Sequence, residues 1–196
     1  MIKKMNFTTS LLSCNSGVQF SENKDCMKYY SKANSSLNQY YLDNNTHHLD
    51  TILHIIDSIY DVCSDYKTRL TNLKLNVLVL LKDYEKGLKF VNSLDSADFS
   101  KPYQKKLYLF IFKAFDYETQ CDTLKSKTSY EEVVKEVERY ILKNPSDKEV
   151  LFELFLNKVK VIGKEKVIKE IDSIYVTKFD PHILAAIKET IINMPE

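Results

Sequence analysis

The sequence predicts an all-α protein made of antiparallel helical hairpins stacked in a row, and three observations carry that prediction. Segments of roughly ten to twenty residues repeat apolar side chains at helical spacing. Only three Gly and four Pro occur in 196 residues, too few for a fold built on many tight turns. Polar breaks between the segments recur at related intervals. With 44% apolar and 28% charged residues, most of the chain should fold into one domain with a sizeable core.

Thirteen Tyr and ten Phe, with no Trp, are available to fill helix seams while keeping hydroxyls near water. Twenty-eight basic against twenty-seven acidic residues give a formal charge of +1, so net charge does not suggest a nucleic-acid partner. No apolar run reaches the roughly eighteen residues of an ordinary membrane-spanning helix.

The elements follow in order. From Cys26 the stripe Met27, Tyr30, Ala33, Leu37, Tyr40 and Tyr41 predicts a helix, with Asn34-Ser35-Ser36 a possible break. Asp43-Asn44-Asn45-Thr46 ends it and supplies a cap for the next. His47 to Cys63 is amphipathic, with Leu49, Ile52, Leu53, Ile56, Ile59, Tyr60 and Cys63 inward. Tyr66 to Lys82 is apolar over a wider arc and expects neighbours on more than one side. Asp83 caps the returning helix Glu85 to Leu94, in which Gly87 implies a close helix crossing. Pro102 opens a helix to Tyr117. The polar segment Glu118 to Thr128 reads as an extended loop, followed by a capping box at Ser129 and Glu132. Pro145 stops that helix, and Ser146 to Glu149 repeats the box before a helix broken by Gly163. Lys164 to Val176 returns, and Asp180-Pro181 caps a last helix to Asn193.

The positions that open the returning helices, Asp50, Tyr84, Tyr130 and Lys164, are 34, 46 and 34 residues apart. A repeat array with one loop insertion gives that pattern. Within it, Val79-Leu80-Leu81-Lys82-Asp83-Tyr84-Glu85-Lys86-Gly87-Leu88-Lys89-Phe90-Val91 resembles the turn and second helix of a tetratricopeptide repeat. Asp83, Tyr84 and Gly87 match the family's turn and small position, and Lys82 stands where the family commonly has Gly. Gly163, Val167 and Ile171 resemble the same part of a later unit, and Tyr130-Glu131-Glu132-Val133 matches in part. The resemblance covers about residues 26 to 180. It implies a short right-handed tetratricopeptide-like solenoid closed by a C-terminal capping helix. Asp83, Tyr84, Gly87 and Gly163 would then set the repeat turns and packing.

Residues 26–196 form the expected helical domain, and residues 1–25 a leader and flexible spacer. Lys3 and Lys4 precede Leu11-Leu12-Ser13-Cys14, which resembles a bacterial lipoprotein signal peptide. That resemblance implies cleavage before Cys14, lipidation of its thiol and attachment to a membrane of the cell envelope, facing the periplasm. A cytoplasmic leader containing the same run is the alternative. The other cysteines, at 26, 63 and 121, show neither a disulfide-scaffold nor a zinc spacing, so Cys63 is expected as a small buried residue.

Asp50, His54, Asp57 and Asp61 share one helix face and have the ligand chemistry for Zn or Mn, but that face is also the solvated side opposite Ile52 and Ile56. Glu131, Glu132, Glu136 and Glu138 read as helix electrostatics, and His182 as a surface residue. No Gly-rich phosphate loop, nucleophile elbow or His-Glu-x-x-His run occurs, so neither a cofactor nor catalysis is expected. The leading expectation is a non-catalytic scaffold that binds a protein or peptide on its first helices, through Asn72, Asn76, Tyr108, Lys113 and Asn157. The alternative is a metal-binding helical protein or metal-dependent enzyme using Asp50, His54 and Asp57.

Overall fold

The computed structural model describes residues 24–145 and 147–194; the leader, with Cys14, and Ser146 lie outside them. The described residues are all-α, without a strand. The α-helices are α1 (Lys24–Asp43), α2 (His47–Ile59), α3 (Lys67–Leu80), α4 (Tyr84–Ser93), α5 (Gln104–Thr119), α6 (Thr123–Lys143), α7 (Glu149–Ile162), α8 (Lys164–Glu170) and α9 (Pro181–Asn193). A π-turn, Ile171–Tyr175, extends α8.

Consecutive helices pack on one another, and α7 also meets α9. The core divides into three clusters. The first joins Ala33 and Leu37 of α1 to Leu49, Ile52 and Ile56 of α2 and to Leu70 and Val77 of α3. In the second, Leu75 and Leu78 of α3 meet Val91 of α4 and Phe112 of α5. The third runs from Leu107 of α5 through Val133 and Val137 of α6 and Leu151 and Phe155 of α7 to Val167, Leu184 and Ile187. Thus α3 contributes to the first and second clusters and α5 to the second and third.

The turns follow from local chemistry. Asp83 accepts a hydrogen bond from the Lys86 amide at 3.2 Å, which satisfies one of the free donors of α4's first turn. Asp180 does the same for the His182 amide, with Pro181 at the first helical position. Gly163 has φ 84° and ψ 157°, a conformation essentially reserved for Gly, and joins α7 to α8 without a longer loop.

Several expectations are corrected. Asn34-Ser35-Ser36 does not break α1, and the Asn34 amide donates instead to the Tyr30 carbonyl at 2.9 Å. Glu118 to Thr128 is no extended loop. Asp122 caps α6 by accepting from the Lys125 amide, and the helix begins at Thr123. Ser129 is therefore mid-helix and buried, donating to the Lys125 carbonyl at 2.9 Å rather than capping anything. Pro102 lies just before α5 rather than in its first turn. As a result the returning helices begin at His47, Tyr84, Thr123 and Lys164, 37, 39 and 41 residues apart. The extra length comes from long helices α5 and α6, not from an inserted loop.

Cys63 is buried, but not as a free thiol: it is disulfide-bonded to Cys26, across a Cα separation of 5.7 Å. The antiparallel packing of α1 on α2 brings the first turn of α1 to the end of α2, within the distance a disulfide spans. A separation of 37 residues hides that pairing from any reading of local spacing.

Candidate functional site

The candidate binding residues lie on the first helix of successive hairpins: Asn72 and Asn76 on α3, Tyr108 and Lys113 on α5, and Asn157 on α7. Asn72 and Asn76 are four residues apart and share a face. Asn76 is exposed, whereas Oδ1 of Asn72 is buried and has no hydrogen-bond partner. An orphaned buried acceptor costs about 1–3 kcal/mol, which is unusual in a settled core.

Tyr108 is partly buried and stacks on Phe99, with ring centroids 6.0 Å apart. Burial, aided by the charge of Glu153, pushes its hydroxyl up to about 12. Lys113 does not belong with it. Five residues on, it lies about 140° further round the helix, where it is exposed with its ammonium 5.6 Å from the centre of the Phe110 ring. Asn157 donates to the Glu153 carbonyl at 2.6 Å, one turn back on α7.

Glu153 is the group that sequence reasoning missed. It is partly buried and accepts a hydrogen bond from the Tyr103 hydroxyl. Burial raises its pKa, and the nearby carboxylates of Asp147 and Glu149 add to the effect. Tyr103 hydrogen bonding and Lys101 oppose the shift. No lysine or arginine forms an ion pair with it among the described residues. The i, i+4 relation of Glu153 to Asn157 was visible in the sequence; its burial against α5 was not.

The proposed metal face is differently engaged. Asp57 pairs with Lys74 at 2.6 Å, and Asp50, His54 and Asp61 are exposed. Among the described residues, no group of three or more His, Cys, Asp or Glu is arranged to hold a metal ion. The acidic run of α6 is used in ion pairs: Glu132 with Lys135 at 2.6 Å, Glu136 with Arg139 at 2.6 Å, and Glu138 with Lys158 at 2.9 Å. Lys158 also bonds Glu170 and lies over the Tyr175 ring, joining α6, α7 and α8. A groove of about 630 Å³ opens beside this triad, walled by Ile141, Leu142, Leu154, Tyr175 and Phe179.

Where α3 turns into α4, Tyr84 packs on Phe115 with centroids 5.4 Å apart, and Gly87 faces the ring of Phe112. Lys82, at the position where the resembled family commonly has Gly, has φ 56°. No helix of the described residues is long and apolar enough to cross a membrane. No protein-family model matches the chain, and no curated protein or solved structure matches it significantly.

Proposed function

We propose that this chain is a non-catalytic protein- or peptide-binding scaffold, a short right-handed tetratricopeptide-like solenoid whose first helices α3, α5 and α7 form the binding face. The observation that carries the reading is the chain of overlapping cores. Each hairpin buries its apolar face against the next, and α3 and α5 are each shared by two clusters. Stacked hairpins of this kind leave one row of helices as an extended surface. Along that row lie the Oδ1 of Asn72, which has no hydrogen-bond partner, and the carboxylate of Glu153, which accepts from the Tyr103 hydroxyl and forms no ion pair among the described residues.

Attachment to the bacterial cell envelope through a lipidated Cys14 belongs to the same proposal. The disulfide between Cys26 and Cys63 supports export, because such bonds persist in oxidising compartments and are rare in the cytosol. Mass measurement of the mature protein tests the anchor: a diacylglyceryl adduct on Cys14 is expected, and an unmodified leader contradicts it. For the face, the pair Asn76→Ala and Asn157→Ala should lower affinity for the partner recovered by wild-type protein, with the helical content unchanged. Unchanged affinity counts against it.

A further inference from the structure

Several other partly buried carboxylates among the described residues are matched with cations. Asp98 bonds Lys67 at 2.9 Å, Asp147 bonds Lys101 at 2.8 Å, Glu136 bonds Arg139 at 2.6 Å, and Glu170 bonds Lys158. Glu153 lies among the core-lining residues of α5 and α7 with only a neutral tyrosine hydroxyl as its partner. A carboxylate withdrawn from water without a counter-charge destabilises the fold that holds it. Its position on the binding face suggests what it is held for.

We propose that the partner presents an arginine or lysine side chain to Glu153, so that the ligand of this face is a peptide segment carrying a cationic residue. This rests on the peptide-binding reading above and names its chemistry. Charge complementarity argues for it. Of the charged groups facing Glu153, Lys101 lies ahead of α5 and is already committed to Asp147 and to Glu149, at 2.8 and 3.5 Å. Asp147 and Glu149 lie at the start of α7 and carry the same sign as Glu153. The locality is therefore short of positive charge. The other titratable neighbours are Tyr103 just before α5, Tyr108 of α5 and Tyr140 of α6, which bring no cation.

The surroundings suit a guanidinium or ammonium group in two further ways. Tyr103 packs on Tyr140 with centroids 4.5 Å apart, and Tyr108 stacks on Phe99, so aromatic rings flank the carboxylate. Cations are attracted to such ring faces. One turn along α7, Asn157 spends its amide N–H on the Glu153 carbonyl and keeps its side-chain oxygen for a peptide N–H.

The test uses the full chain, labelled with nitrogen-15, and two capped pentapeptides, acetyl-Ala-Leu-Arg-Leu-Ala-amide and the same peptide with neutral citrulline in place of Arg. The arginine peptide should shift amide resonances around Tyr108 and Glu153 and bind about tenfold more tightly than the citrulline peptide. Glu153→Gln should remove that preference while its spectrum remains that of a folded protein. In unmodified protein the preference should fade as pH falls through the raised pKa of Glu153. Equal binding of the two peptides by wild-type protein overturns the inference and leaves peptide binding standing. If neither peptide perturbs α3, α5 or α7, peptide binding falls and the inference with it.

Discussion

A β-carbon at Gly87 would lie 2.2 Å from Cε1 of Phe112, whose ring is fully buried. At Gly163 an added β-carbon meets nothing within 4 Å, yet φ of 84° excludes an ordinary side chain. The two glycines therefore answer different constraints, one of packing and one of backbone. Gly87→Ala should destabilise by about 1–2 kcal/mol, the clash outweighing the gain in helix propensity, and Gly163→Ala by about 1–3 kcal/mol through strain alone. Lys82 adopts φ 56°, so Lys82→Gly should stabilise by about 0.5–1 kcal/mol. Urea unfolding of the three variants measures all of this. Glu153 makes a separate prediction. Its pKa is raised by folding, so the folded state holds its proton more strongly than the unfolded state does. Stability from this group is present below its unfolded pKa and is lost as pH rises through its folded pKa. Glu153→Gln should therefore be the more stable protein at neutral pH, with an advantage that shrinks on acidification.

At the scale of the helix, periodicity located most elements, because a face of Leu, Ile and Val at helical spacing leaves little alternative. It failed where a seam is built from small polar residues. Ser126 and Ser129 of α6 are buried, as is Ala114 of α5, and such short side chains allow a close approach of the two helices. A buried Ser has the same letter as a capping Ser, and so Ser129 was expected as a helix start. Two interactions that cross between helices give predictions here. Lys158 joins α7 to Glu138 of α6 and to Glu170 of α8; burial alone would lower its pKa, but the carboxylates prevail and raise it to about 12. Lys158→Met should cost about 2–3 kcal/mol, since it leaves partly buried carboxylates unpaired, and adding Glu170→Gln should recover part of the loss. The Cys26–Cys63 bond fastens α1 to α2, and replacing both cysteines by Ser should cost about 3–4 kcal/mol by the loop-closure relation. Alkylation of the denatured protein before and after reduction checks the pairing: Cys121 should react at once, and Cys26 and Cys63 only after reductant.

For the whole molecule, composition was enough to expect an all-α fold, and the order of hairpins was legible from the breaks at Asp43, Asp83 and Gly163. The spacing was less so, because the unequal lengths of α5 and α6 depend on how far each helix finds a neighbour. The proposed binding face was legible only in part. Asn76, Tyr108 and Asn157 could be placed on first helices from helical phase, whereas Glu153 became recognisable only once the hydrogen bond from Tyr103 showed a partly buried carboxylate outside any ion pair. A row of first helices joined by shared cores makes a directional claim, that partners meet one side of the protein and not the other. Site-specific photocrosslinking in the native host tests that claim most directly, with benzoylphenylalanine placed at Asn76, at Asn157, or at the exposed His54 of α2. Positions 76 and 157 should capture the same partner, and position 54 should not. Capture from position 54 alone, or equally from all three, would contradict that claim.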